Sequence, residues 1–228
     1  MGIPISKNVT DIGMKSYNPF PIIHRCKYDF NFEKSSLKAR TMGHMEAAKS
    51  IIDEKKYDTM EKGGGTTSVV ISREVPPHIW EEFEDFMPWF YERINRIWDL
   101  WHLTPMNKML SESWINVHPK GAWTAEHHHQ NVTVACAAYL HVPEGSGRFM
   151  VKNPYSIYKL GEPLDYNYYD MEMDWEYIDV QTNDVLFFPG WLTHKTETNK
   201  TDNNRYVCLL YTSPSPRDLS TSRMPSSA

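Results

Sequence analysis

Residues Trp123–Tyr139 read WTAEHHHQNVTVACAAY, and the period of this run decides how the rest of the chain is read. Side chains of a strand alternate between faces, so positions 127, 129, 131, 133, 135, 137 and 139 share one side. That side reads His, His, Asn, Thr, Ala, Ala, Tyr, while the other reads His128, Gln130, Val132, Val134, Cys136, Ala138 and Leu140. The second face turns apolar after two residues and suits a core. The first sets two imidazoles above small residues, as in a metal pocket for iron, zinc, copper or nickel. A histidine-rich surface turn is the other reading these residues allow. His128 falls on the opposite face from His127 and His129, so it is assigned to the surface or to a supporting position.

Working outward, short β-patterned segments lie on both sides. Trp114–His118 and Arg148–Lys152 are expected strands, as are Glu176–Val180, Val185–Phe188 and Arg205–Tyr211. Pro119-Lys120-Gly121, the 143–147 run PEGSG, Asn183-Asp184 and Pro189-Gly190 supply the turns. Asp184 reads as a structural turn residue. Tyr155–Trp175, Tyr-rich and acidic, reads as a long loop or an insertion. Before the strands, Tyr28, Phe30 and Phe32 alternate as in an edge strand. Met42–Lys56 has helical spacing at Met45, Ala48, Ile51 and Ile52, and Thr66–Ile71 reads as a strand. From Ile79 an aromatic stripe runs Trp80, Phe83, Phe86, Met87, Phe90, Ile94, Ile97, Trp98, Trp101, which predicts a helix packed on a sheet. Pro88 inside it is expected to kink or divide that helix. The pattern as a whole suggests a β-sandwich or barrel with supporting helices.

Composition narrows the function classes. The 228 residues carry a formal charge of −5 and are rich in aromatics, with 8 Trp, 13 Tyr and 9 Phe. That balance gives no electrostatic footprint for nucleic acid, and so many aromatics argue against disorder throughout. No apolar run approaches the roughly 20 residues of a membrane span. The N-terminus lacks the apolar core of a secretory signal, although its Met-Gly-x-x-x-Ser start fits the short myristoylation pattern. Three scattered cysteines, Cys26, Cys136 and Cys208, form neither a disulfide framework nor a thiolate metal motif. The expected location is the cytoplasm, that of a host cell if the protein is viral.

Three further elements carry chemistry: Trp114-Ile115-Asn116, the block NDVLFFPGWLTH of 183–194, and Arg205 eleven residues beyond His194. With His127-His128-His129 they resemble, in order and spacing, the iron(II)- and 2-oxoglutarate-dependent oxygenases. The resemblance is nearest to the oxygenases of this type in marine phages and bacteria, and it covers Ser113 to Arg205. It implies a mainly β fold with flanking helices, a double-stranded β-helix (jelly-roll, cupin-like) core. On it 113–211 are the expected catalytic core; the resemblance does not identify 1–112, which are expected as a helical and extended region packing on the barrel, and 212–228 are expected as a disordered, non-native tail. His127, His129 and His194 become the expected iron(II) ligands and catalytic residues. Arg205, Tyr139 and Asn116 become the expected 2-oxoglutarate contacts, with O2 as the other small-molecule partner and the primary substrate unspecified.

The resemblance implies a dioxygenase that hydroxylates its substrate and yields succinate and carbon dioxide. One departure stands out. The wider superfamily has a carboxylate where this chain has His129, so the ligand set reads as three imidazoles. Glu126 should point away from His127 unless a bulge intervenes. Three histidines also suit zinc. A zinc isomerase or lyase, a dioxygenase without 2-oxoglutarate, and a non-catalytic virus-associated binding module therefore remain alternatives. Finally, 209–228, LLYTSPSPRDLSTSRMPSSA, resembles translated sequencing-adapter read-through, with the foreign part starting near Cys208. Without it the chain carries −6.

Overall fold

The computed structural model describes residues 23–55, 63–154 and 174–214. In chain order its elements are β1 (His24–Lys27), α1 (Ser36–Lys55), β2 (Thr66–Thr67), α2 (Phe86–Leu100), β3 (Lys108–His118) and β4 (Val134–His141). They continue as β5 (Phe149–Lys152), β6 (Trp175–Ile178), β7 (Asp184–Pro189), β8 (His194–Thr196) and β9 (Arg205–Pro214). A major antiparallel sheet runs β1-β7-β4-β9-β3-β2 and a minor one runs β6-β5-β8. Two sheets of this kind with helices outside make the jelly-roll core expected from the sequence. None of the described helices is long and apolar enough to cross a membrane.

Period-two alternation sorts the major sheet into two cores. On the outer face Ile115, Val117, Cys136, Ala138, Leu140, Val185, Phe187, Cys208 and Leu210 join residues of α1 and α2. On the inner face Trp114, Ala135, Ala137, Tyr139, Leu186, Phe188 and Val207 meet Phe149 and Val151 of β5. Register fixes the two sets. Tyr139 lies opposite Val207, Asn116 opposite Val207 from the other side, and His118 opposite Arg205. Asp184, fully buried, ties the β7 end to Arg25 and Lys27 of β1 and accepts a 2.6 Å bond from Gln181 N.

Helix α2 buries Phe86, Phe90, Ile94, Ile97 and Trp98, a stripe at helical spacing. Phe90 stacks obliquely on Phe187, 5.9 Å between centroids, which seats the helix on the sheet. The helix is shorter than the stripe. Trp80 and Phe83 are buried as expected, but from 3₁₀ turns at Pro77–Ile79 and Glu81–Phe83. Pro88 divides nothing: it is the third residue of α2, where a missing N–H has no intrahelical acceptor to lose.

Other boundaries also differ from expectation. The N-terminal strand is His24–Lys27, while Phe30 and Phe32 follow it as buried anchors in an irregular turn whose Asn31 has φ 49°. Helix α1 begins six residues earlier than its Met42 start, and the expected strand Thr66–Ile71 shrinks to Thr66–Thr67 followed by a 3₁₀ turn. β3 begins six residues early, at Lys108, and β9 pairs with that extension by running past Tyr211 to Pro214, with Thr212 fully buried. The myristoylation pattern, residues 155–173 of the expected long loop, and residues 215–228 lie outside the described residues.

The α2–sheet contact generates a test. Phe187 is fully buried against Trp89 and Phe90, so Phe187→Ala should cost about 3–5 kcal/mol, the transfer term plus a cavity term. Leu100→Ala, at an exposed site, should stay within about 0.5 kcal/mol. Urea denaturation followed by far-UV circular dichroism compares them, and equal midpoints would contradict the packing described.

Candidate active site

His127, His129 and His194 converge although β4 starts only at Val134. His127 does not belong to that strand. It forms an isolated antiparallel bridge with His194, with N–H···O bonds of 3.0 and 2.9 Å in the two directions. A turn follows, with Asn131 at φ 60°, and His129 N donates to Gly190 O at 2.8 Å. The two neighbouring histidines are thus pinned by the His194 segment. A ligand atom from each of the three lies within 4.8 Å of the others, and no carboxylate joins this cluster among the described residues.

Two of the rings are oriented by the backbone. His127 Nδ1 donates to Ala125 O at 2.8 Å and His194 Nδ1 donates to Leu192 O at 2.7 Å. A carbonyl can only accept, so both protons sit on Nδ1 and each Nε2 keeps a lone pair. His129 has the Tyr211 hydroxyl at 2.6 and 2.8 Å from its two ring nitrogens. Burial holds all three histidines below their ordinary pKa, His129 at about 3, and the neighbouring histidines add to the effect. They are neutral at pH 7, the form that ligates a metal.

The triad opens on a cavity of about 510 Å³ between the sheets. Tyr139 and Asn116 line it as the sequence pattern anticipated, from β4 and β3. Tyr139 is almost wholly buried, which pushes its hydroxyl pKa up and keeps it a neutral donor. Arg205, fully buried, is on the same face of β9 as Val207 and Tyr211, and its Nη1 donates to Ser146 O (2.8 Å) and Gly147 O (2.9 Å). His128 is exposed at the cavity mouth, as its parity required. Glu126 pairs with Lys152 at 2.9 Å and stays out of the triad.

Sequence reasoning overlooked His118 and Thr124. His118 is 2% exposed, lines the cavity, and its Nε2 lies 2.7 Å from Thr124 Oγ1. Burial and then the Arg205 charge lower its pKa to about 3. The alternation that placed Asn116 on the inner face also places Trp114 and His118 there, so the signal was present. Tyr211 follows from Arg205 by the same rule.

Residues 112–210 match a family model described as "Putative 2OG-Fe(II) oxygenase". The matched segment contains the triad, Asn116, Tyr139 and Arg205, and ends one residue before Tyr211. The match covers 99 of the 228 residues and likens that segment to an oxygenase domain of the kind that uses Fe(II) and 2-oxoglutarate. No curated protein matches the chain in sequence. Among solved structures, the fold is similar to a Pseudomonas putida prolyl-4-hydroxylase, with TM-score 0.55, 10% identity, and coverage of 83% of this chain and 91% of that one. A viral collagen prolyl hydroxylase from Paramecium Bursaria Chlorella virus-1 gives TM-score 0.49 and 11% identity, covering 84% and 95%. At such identities the first likeness speaks for the fold alone.

The polar contacts flanking the cavity carry a pH test. Glu197 sits just beyond β8 and receives bonds from Arg148 Nε (2.8 Å), Nη2 (2.6 Å) and backbone N (2.9 Å). The Arg148 side-chain bond leads in holding its carboxyl down to about 2. An unfolded Glu titrates near 4.3. The pair's stabilisation is therefore complete above about pH 5 and is lost as pH falls toward 2. Glu197→Gln should lower the denaturation midpoint at neutral pH, and the gap from wild type should close progressively below about pH 5. A gap that is constant down to about pH 2.5 would contradict this assignment.

Proposed function

We propose that the chain is an iron(II)- and 2-oxoglutarate-dependent dioxygenase that hydroxylates a substrate C–H bond, with succinate and carbon dioxide as co-products. His127, His129 and His194 would hold the metal, and Arg205, Tyr139 and Asn116 would hold 2-oxoglutarate. The observation that carries this reading is the meeting of three neutral imidazoles at a cavity, with a buried arginine behind two of its lining residues, His118 and Tyr139. When bound, the iron activates dioxygen and the protein supplies position and shielding. The Arg205 fork suits the distal carboxylate of the cosubstrate, and the neutral Tyr139 hydroxyl and Asn116 amide suit its remaining acceptors. Apolar walls from Trp114, Phe149, Phe188 and Val207 keep bulk water from the reacting end. We place the protein in the cytoplasm, where its three free cysteines stay reduced.

Among the described residues no carboxylate joins the cluster, which supports a second reading, a zinc or cosubstrate-independent metal enzyme on the same barrel. Anaerobic titration with Fe(II) and then 2-oxoglutarate separates the two, followed by succinate measurement on admitting oxygen. His127→Ala, His129→Ala and His194→Ala should each weaken iron binding at least about tenfold, whereas His128→Ala should change it little. Arg205→Ala should leave iron affinity unchanged and weaken 2-oxoglutarate by about a hundredfold, with Arg205→Lys recovering part of the loss. Tight metal binding with no 2-oxoglutarate response in wild type would favour the second reading. Loss of metal in His128→Ala but not in His129→Ala would overturn the ligand set.

We also infer that the adapter-like tail is foreign to the natural gene. Its first six residues occupy the greater part of the ten-residue β9, yet strand pairing is a backbone property open to most extended sequences with an apolar residue at position 210. The proposed metal and cosubstrate contacts accordingly fall on no residue beyond Arg205. An independent, adapter-free read of the source DNA should diverge from this sequence after Cys208; the same codons there would refute the inference.

A further inference from the structure

The connection between β4 and β5 reaches under Arg205, and it is held there by a contact outside the cavity. Ser146 O and Gly147 O both accept from Nη1 of Arg205, at 2.8 and 2.9 Å. Two acceptors on one terminal nitrogen fix the plane of a guanidinium, which otherwise turns about several side-chain bonds. The carbonyls can do this only while their own backbone is fixed.

That backbone is fixed against the segment after β8. Ser146 N closes a turn on Pro143 O at 3.0 Å. Gly147 has φ +91°, and a Cβ there would stand 2.6 Å from Glu197 O, so the loop crosses the β8–β9 connection at a distance only glycine permits. Arg148 then binds Glu197 through both edges of the carboxylate and through its own backbone N–H, while Glu197 N donates to Arg148 O at 3.0 Å. The Arg148 guanidinium also lies over the Tyr177 ring at 4.1 Å, which joins β6 to the same clamp. An exposed ion pair alone contributes little to stability. This one is bidentate, backed by two main-chain bonds, and sits one residue from the carbonyls that grip Arg205.

We propose that Arg148 and Glu197 are positioning residues for 2-oxoglutarate, acting through the Ser146 and Gly147 carbonyls on the orientation of Arg205. The proposal rests on the cosubstrate reading of Arg205. Neither residue touches the cosubstrate; loosening the pair lets the β4–β5 connection drift and spreads the guanidinium over several planes. A bidentate contact is sensitive to such spread, whereas the metal triad, held by its own backbone bonds, is not.

The test is anaerobic calorimetric titration of the iron-loaded protein with 2-oxoglutarate, for wild type, Arg148→Gln, Glu197→Gln, the double variant and Arg205→Ala. Each single Gln variant should weaken 2-oxoglutarate about tenfold at unchanged iron affinity, and the double variant should be no worse than either. In succinate assays the change should fall on KM and leave kcat nearly as in wild type. Iron titration of each variant reports that the triad is still assembled. If a Gln variant does not fold, Glu197→Asp, which keeps the charge and shortens the reach, should show the same weakening. Wild-type affinity in Glu197→Gln beside a weakened Arg205→Ala would overturn the positioning role alone. Wild-type affinity in Arg205→Ala would instead remove the cosubstrate reading on which it stands. Additive losses in the double variant would show two independent effects and would also overturn the coupling.

Discussion

A strand paired on both edges cannot slip by one residue without turning its two faces inside out, and β9 is such a strand. Between β3 and β4 it sends Tyr206, Cys208 and Leu210 to the helical core and Arg205, Val207 and Tyr211 to the other face, where Val207 and Tyr211 line the cavity. The cost of a slip would be borne by both cores at once. It would place a guanidinium in the helical core and take Val207 and Tyr211 out of the cavity. The same constraint passes through the ladder to Asn116, His118 and Tyr139, whose positions on the inner face are fixed by their β9 partners. The site is therefore as well defined as the core that specifies its register.

Around the cavity, the chain keeps ionisable side chains in the states that suit their placement by removing them from water. The triad, His118 and Tyr139 are neutral because burial penalises their charged forms. Arg205 keeps its charge through the high intrinsic basicity of a guanidinium, and carbonyl oxygens soften its desolvation. The result is a face of neutral donors and acceptors with one cation, a suitable surround for an anion and a divalent metal.

The sequence revealed the inner face well and the element boundaries poorly, for physical reasons. Arg205 was expected from the resemblance, whereas alternation placed Tyr139 on the inner face. It also made His118 visible, had the rule been carried two residues past Asn116. Helical periodicity overran at Trp80 and Phe83 because 3₁₀ turns can present aromatics to the same core as a following helix. Pro88 was misjudged because its effect depends on distance from the helix start, which the apolar stripe does not mark. The His127–His129 pair was read as part of β4. The turn at Asn131 interrupts that strand, and the two rings share a side because they bridge to His194 and Gly190. Parity gave the right side for the wrong reason.

Three imidazoles pose a problem that two imidazoles and a carboxylate do not, since a neutral ligand set lacks one unit of Coulombic attraction for a divalent ion. Part of that loss can be offset by preparing the ligands. A ring whose Nδ1–H already donates to a carbonyl has its tautomer chosen, its rotation restricted and its Nε2 made more basic. Ala125 O and Leu192 O do this for His127 and His194, and the main-chain bridge between those two residues holds the pair in register. His129 is held from its backbone by Gly190 O, at a glycine where a Cβ would stand 2.2 Å from Val132 O. Gly190 thus allows the close crossing that brings the third ring in. The neutral set also leaves more positive charge at the cavity than a carboxylate would, which strengthens attraction for a dianionic cosubstrate as it weakens attraction for the metal. In the function proposed here, the ligand substitution at His129 therefore shifts the balance of binding from ion to cosubstrate, and backbone preorganisation is what keeps the ion's share sufficient.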